Sequence, residues 1–545
     1  MKRKKIAVAP AAEFQARRRL FALMGELYPV DFEAWQPGGS TAWDGAILWE
    51  GCAGENEIIS TPKLDCLVIA RSQATSRPVQ KHAVKFTVTA ALDNAFRGQT
   101  MIEECLGEIP TLRPVESDEI VCRIDSLPYP YWLIRRTGGA TLTFVGLGPE
   151  EIAEGQTVYD HFNRRRWLRL LPVFHYLKQL TRDDAWEAPP VRACLMFDDP
   201  NLHWPTYGFI DLRKLAGHAR EFNYHAAFAM VPLDAWFINP QVGALFRENH
   251  LNFSLCMHGN NHAPAELGSR LDADNFTKLF AQGLKRIDRF EKRSGVSVAR
   301  VMVPPHGAFQ ENAADPMLKL GYEAVCVSRA SLTAWNKGRT WPASFGHSVT
   351  EFVGGGLPVI PRQVLAPGHE GAYRLAAFLG QPIIPHGHHQ DCAKGLDMLV
   401  AAANSINSLG KVIWTDMATI SRSNYLTRRT NGTLTVKMLS RRITLPMDED
   451  VKEIVIERPW ISAGDPNEPL VCQEANQTRF SNLFGRQSEA IPLVGGNSIE
   501  LISPPLTAAN YQEVPAPKFQ AWSTVRRIVC EARDRLAPHT SVIRG

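Results

Sequence analysis

ACLMFDDPN, residues 193–201, carries the reading on which the fold turns. Five small or apolar residues run straight into Asp198 and Asp199 and then Pro200, which reads as a strand buried on both faces that stops where a loop begins. The same pattern recurs outward from it. HAAFAMV (225–231), NFSLCMH (252–258), ARVMVP (299–304), EAVCVS (323–328), PIIPHG (382–387) and VIWTDM (412–417) read as further strands. Helix-period segments separate many of them, among them GFIDLRKLAGHAREF (208–222), PQVGALFREN (240–249), GAYRLAAFL (371–379) and KGLDMLVAAANSINSLG (394–410). Seven or eight such units between residues 190 and 425 predict an irregular (β/α) barrel, with its chemistry at the C-terminal ends of the strands.

The flanks differ in character. Residues 1–185 alternate strand-like KKIAVA (4–9), VDFEAW (30–35), DGAILW (44–49) and CLVIA (66–70) with amphipathic stretches, which predicts an α/β domain on a mainly parallel sheet. VAPAAEF lacks the glycines of a phosphate-binding turn, RTGGAT (136–141) reads as a hairpin turn, and residues 161–184 read as one helix with a basic face. Residues 430–515 hold short alternating strands without helices, which predicts a β-sandwich appendage, and residues 516–545 form a helical tail.

At 545 residues the chain exceeds one hydrophobic core, and its 45% apolar content excludes a disordered chain. A net charge of +4 over this length gives no broad polyanion-binding face, so nucleic acid is not an expected partner. The ten cysteines form no CxxC pair and several sit in apolar runs, as expected of reduced thiols. The basic N-terminus lacks an adequate apolar core for a secretion signal, and no apolar run reaches membrane-spanning length, so a cytoplasmic protein without a transmembrane segment is expected.

Chemistry concentrates at four strand ends. Asp198 and Asp199 are adjacent carboxylates that need a cation or donors to ionise together; an Asx turn or helix cap is the plainer alternative. His258 and His262, in HGNNH, are spaced i,i+4, which on a helical turn puts both imidazoles within reach of one metal ion, with Glu266 a candidate partner fixing an imidazole tautomer. Asp199, His258 and His262 together form an open three-ligand set suited to catalysis. His386, His388 and His389 follow the strand PII in a turn bracketed by Pro and Gly, placed to shuttle a proton. His306 in VPPHG lines a pocket or packs; Trp204 and Tyr207 offer a stacking wall or core residues; Asp416 is a candidate carboxylate partner for a histidine.

In order along the chain, FDDPN, HGNNH, VPPHG and IIPHGHH resemble the motifs of the NodB-type polysaccharide deacetylases, family 4 carbohydrate esterases, over about residues 190–425. The resemblance implies that family's irregular barrel, a divalent metal, most simply zinc, on Asp199, His258 and His262, Asp198 as general base and His386 as general acid. It implies an acetylated carbohydrate as substrate, with the oxyanion held by the metal and a backbone amide in the loop beginning at Pro200. The chain departs from the pattern in three places. The third motif's usual arginine is Val303, Pro200 stands where the first motif usually ends in Gly, and no aspartate between Asp315 and Asp391 can tune the last histidine. Two other readings stand beside this one: a glycoside hydrolase using Asp198 and Asp416 as its two carboxylates, and a non-catalytic glycan-binding or scaffold protein.

Overall fold

Runs of apolar residues too short for helices pair laterally to satisfy their backbone groups, and among the described residues they build two nine-stranded sheets, two four-stranded ones and two two-stranded ones. The structure is a computed structural model; it describes all residues except 1–2, 39–41, 72–79, 108–109, 111, 126, 431, 462–467, 475–476, 484, 494, 519–520 and 544–545. The described residues divide into two units, one of residues 1–186 with 340–348 and 370–379, the other of the remainder.

In the first unit the strands Val30–Ala34, Lys4–Ala9, Gly45–Trp49, Asp65–Ile69 and Ala140–Val145 are parallel neighbours, and Pro130–Thr137, Glu119–Ile124, Gln80–Phe86 and Thr100–Leu106 extend the sheet antiparallel. The sheet is therefore mixed, not mainly parallel. Gly138 and Gly139, both at positive φ, make the RTGGAT hairpin that joins two of the antiparallel strands. The single helix expected over 161–184 is instead the helix Leu171–Leu180, with Pro172 in its first turn, where its missing N–H costs nothing. The helix Glu370–Phe378, expected to cover the central sheet, belongs to this unit.

The second unit is built on the nine-stranded sheet that contains the opening motif. Leu195–Asp198, Ala226–Met230, Phe253–His258, Val298–Val303, Ala324–Val327 and Leu357–Pro361 follow one another as parallel neighbours, and Pro385–Gly387 pairs on the other side of Leu195–Asp198. These strands are buried along almost their whole length, as their unbroken apolar sequences require. Leu357–Pro361 pairs with Ala324–Val327, while Gln363–Val364, one residue further on, pairs with Pro385–Gly387. Arg362 alone thus separates two strands that lie on opposite sides of the strand order. Helices such as Leu212–Glu221, Pro240–Glu248 and Ala273–Ser294 connect the strands and bury one face each.

Residues 425–502 form two four-stranded sheets that share one core, with Val436, Met438, Ile454 and Ile456 contributed by one and Ile443, Leu445, Leu470, Ile499 and Leu501 by the other. Thr433–Met438 alternates buried and half-buried residues, the period of a strand with one face on a core. The tail carries the helix Ala521–Ile543.

Candidate active site

Parallel strands deliver their C-terminal ends to one edge, and the polar residues that stop each apolar run collect there. A cavity of about 290 Å3 opens at that edge, lined by Asp198, Asp199, His258, His262, His306, Gly307, Ser328, Ser331, Arg362, His386 and His388. Every one lies at or just beyond the end of a strand of the second unit's nine-stranded sheet.

Asp199, His258 and His262 converge. The Nε2 atoms of the two histidines lie 3.0 and 2.7 Å from Asp199 Oδ1, and the three ligand atoms fall within 4.8 Å of one another. His258 Nδ1 donates to the carbonyl of Val303 at 2.9 Å, so in the neutral ring Nε2 carries a lone pair. Asp199 Oδ1 is buried and no hydrogen bond reaches it. One carboxylate oxygen and two imidazole nitrogens gathered around one point, with the His258 lone pair directed at it, form a donor set that fits a divalent metal. Burial pushes the Asp199 carboxyl up, but the two imidazoles more than offset it and hold the group well below the usual carboxylate range.

His258 and His262 meet without a helical turn. His258 ends its strand, and Gly259 (φ 62°) and His262 (φ 55°) turn the chain through left-handed conformations. A Cβ at Gly259 would stand 2.4 Å from Glu266 Oε2 and 2.7 Å from Pro305 Cγ, so only glycine fits. Glu266 bonds to backbone instead of to an imidazole: its carboxylate accepts the N–H groups of Asn260 and Asn261 at 2.8 Å and of His262 at 3.3 Å, clamping the turn that carries His262. Arg286 adds bonds to Asn260 Oδ1 and Asn261 Oδ1 at 2.6 and 2.7 Å.

Arg362 was not legible as a site residue. Its Nη1 lies 2.9 Å from each oxygen of Asp198, and both side chains are buried. Burial pushes the Asp198 carboxyl up; Arg362, then His258, His386 and His388, overcome this and hold it below the usual range. The next residue, Gln363, accepts from His386 Nδ1 through its carbonyl at 2.6 Å, which leaves Nε2 as the free ring nitrogen. Burial, followed by Arg362, pushes His386 down to about 4, so its imidazole is neutral near pH 7. Arg362 and Gln363, between strands on opposite sides of the strand order, thus contact Asp198 and His386.

Other expected site residues lie elsewhere. Asp416 is the N-cap of the helix Met417–Arg422, its Oδ1 accepting from Ala418 N and Thr419 N at 2.8 and 3.0 Å, and it does not line the cavity. A pairing of Asp198 with Asp416 for glycoside hydrolysis therefore lacks its second carboxylate in the cavity. Pro200 is buried outside the lining and, lacking an N–H, offers no oxyanion contact itself. Trp204 is half exposed beneath the guanidinium of Arg535 and forms no cavity wall. Tyr207 packs against His389, which is buried beside Asp534 and, unlike His386 and His388, does not line the cavity. His306 lines the cavity with its ring 4.9 Å from that of His262.

The tail helix crosses close to Asp199 and His262. Arg526 donates to the carbonyl of His262, and Arg527 donates to the carbonyl of Asp199 at 3.2 Å and pairs with Asp234.

Polysaccharide deacetylases are among the similar solved structures. A candidate polysaccharide deacetylase from Mycobacterium smegmatis matches with 15% identity over 44% of this chain and 92% of its own, at a TM-score of 0.33. A family 4 carbohydrate esterase from Streptomyces lividans in complex with acetate matches with 14% identity over 41% and 88% at 0.24, and a pseudoenzyme of the same family from Bacillus anthracis with 13% over 44% and 67% at 0.25. No protein-family model matches the chain, and no curated protein does. At this level of similarity the functional reading rests on the chain's own residues.

Proposed function

We propose that this protein is a metal-dependent hydrolase that removes acetyl groups from an N- or O-acetylated carbohydrate. The observation that carries the proposal is that one cavity holds a carboxylate–imidazole–imidazole donor set beside a second carboxylate, Asp198, held by Arg362, and a third imidazole, His386, held by the Gln363 carbonyl. A divalent cation held by Asp199, His258 and His262, zinc being the simplest choice for these donors, supplies Lewis-acid stabilisation to negative charge developing on the acetyl carbonyl oxygen.

The chain's own groups handle the protons. Asp198, kept anionic by Arg362, accepts a proton from the attacking water. His386 begins neutral, with its Nδ1–H committed to Gln363, so Nε2 is a proton acceptor at rest. It acts as an acid only after taking up the proton that Asp198 removed from the water, and it then delivers that proton to the departing amine nitrogen as the C–N bond breaks, leaving Asp198 anionic again. The histidine is a shuttle; it does not rest as a stored acid.

Acetate release from a panel of N- and O-acetylated saccharides tests the proposal, with reducing-sugar release measured alongside. Release of acetate without new reducing ends supports it; new reducing ends without acetate would favour a glycoside hydrolase.

A further inference from the structure

After its last sheet the chain returns to the cavity. Beyond the strand Ser498–Ile502, Ala509 N donates to the carbonyl of Lys319 at 2.7 Å, and Lys285 Nζ donates to the carbonyl of Val514 at 2.7 Å. Tyr511 and Gln512 donate to Asp288 at 2.7 and 2.8 Å. Residues 509–514 are thereby pinned beside the helix Ala273–Ser294 and lead to the helix Ala521–Ile543.

An amphipathic helix ordinarily turns its apolar face inward. The helix Ala521–Ile543 turns its charged face inward: Ser523, Arg527 and Asp534 are buried, and Arg526, Glu531 and Arg535 are half-buried. It is no membrane span, since no helix among the described residues is long and apolar enough to cross a membrane. Most of its polar groups meet side chains of the loops beyond the strand ends. Arg527 pairs with Asp234, Asp534 accepts from Tyr207 at 3.2 Å, and the Arg535 guanidinium lies 4.8 Å from the ring of Trp204. Two contacts are of another kind. Arg526 donates to the carbonyl of His262 and Arg527 to the carbonyl of Asp199 at 3.2 Å, so adjacent arginines bond the backbone of two of the three residues in the metal donor set.

Those two donors are the ones the sheet does not fix. His258 ends a strand and is paired in register with Val303. Asp199 and His262 lie beyond strand ends at φ 72° and 55°, a left-handed conformation that a residue with a Cβ keeps only where its surroundings enforce it. The peptides around His262 are held from both sides, its N–H by Glu266 and its carbonyl by Arg526. At Asp199 the carbonyl is held by Arg527, itself buried in its pair with Asp234. Rotation of either carbonyl would carry a ligand atom with it, and Asp199 Oδ1 and His262 Nε2 stand only 2.7 Å apart. The guanidiniums also carry positive charge, which opposes cation binding. Their removal therefore weakens the metal only if their hold on the backbone outweighs that repulsion.

We propose that Arg526 and Arg527 are positioning residues of the metal site: through backbone carbonyls they keep Asp199 and His262 in ligating geometry, so that the C-terminal helix completes a site the strands begin. The proposal rests on the assignment of Asp199, His258 and His262 as metal ligands and is independent of the substrate.

Zinc affinity is measured by competition with a chromophoric chelator in the full chain and in four variants. Arg526→Met removes one carbonyl bond, and Arg526→Lys keeps a donor and the charge. Arg527→Met/Asp234→Asn removes the other bond without stranding a buried carboxylate. Arg535→Met loosens the same helix without touching the backbone of a ligand. Circular dichroism checks folding, and the visible absorption of the cobalt(II)-loaded proteins reads the geometry of the ligands. The expected result is a Kd for zinc raised about 10- to 100-fold in Arg526→Met and in Arg527→Met/Asp234→Asn, with altered cobalt bands. Arg526→Lys stays nearer the parent, and Arg535→Met matches it. Zinc binding as tight as the parent's or tighter in both Met variants, with the parental cobalt spectrum, overturns the proposal while the ligand assignment stands. Equal weakening in Arg535→Met overturns it as well, because docking of the helix as a whole would then be the cause. A parent chain that binds no zinc overturns the ligand assignment and the proposal together.

Discussion

Arg362 reaches both carboxylate oxygens of Asp198 with one nitrogen, Nη1, at 2.9 Å to each. The pair is buried, so neither partner can turn to water if the other is removed. Breaking a pair of this kind typically costs about 3 to 5 kcal/mol, because the surviving charge stays desolvated.

Arg362→Met is accordingly expected to lower the stability of the second unit by that order and kcat by about 100-fold or more, the scale of a general base's contribution. Without the guanidinium the Asp198 carboxyl moves up from where it stands in the parent, because burial still raises it and its strongest opposing charge is gone. The acidic limb of the kcat/KM profile then moves to higher pH. Because a single nitrogen makes both contacts, Arg362→Lys should retain part of the effect, which Arg362→Met should not. pH–rate profiles and thermal unfolding of the two variants separate these outcomes.

Glu266 accepts three backbone N–H groups in the turn that carries His262. Glu266→Gln leaves the turn's size intact but replaces one acceptor oxygen with a donor. The expected loss is about 1 to 3 kcal/mol of local stability, with metal affinity weakened on the order of 10- to 100-fold. Competition with a chromophoric chelator reads the affinity, and an unchanged dissociation constant contradicts the clamp.

In the first unit, His175 is buried against Trp132, and its Nε2 accepts the backbone N–H of Asp93 at 3.1 Å. Burial pushes this histidine down from 6.5 to about 4. The folded state therefore excludes the proton that the unfolded chain accepts: its contribution is complete above pH 6.5 and is lost as pH falls towards about 4. The loss amounts to roughly 3 kcal/mol across that window. His175→Gln, which keeps an acceptor for Asp93, should flatten the acid limb of stability, measured by hydrogen exchange of the helix Leu171–Leu180 in both proteins. Parallel acid limbs in the two would refute the assignment.

Much of the site could be read because parallel strands convert sequence into position. FDD, HGNNH, VPPHG and HGHH each interrupt an apolar run, and the sheet brings such interruptions to one edge wherever they fall in the chain. Arg362 is hard to pair from the sequence because its partner lies 164 residues away. A lone arginine between LPVIP and QV was the available signal, since a cation inside a buried strand needs an anion. The helical turn inferred from the spacing of His258 and His262 failed at Gly259 and His262, which turn left-handed under the Glu266 clamp. Asp416 carried a readable helix-cap pattern ahead of MATISR, and the cap is what it forms. The tail's period revealed a helix but could not tell which face turns inward.

The metal-ligand assignment is tested most directly by elemental analysis of the purified full chain after loading with zinc and removal of excess, beside the His258→Ala/His262→Ala double variant and Asp198→Asn. The account predicts a tightly held divalent ion in the parent and in Asp198→Asn, and none in the double variant. Metal retained undiminished when both imidazoles are gone, or a parent that holds none, contradicts it.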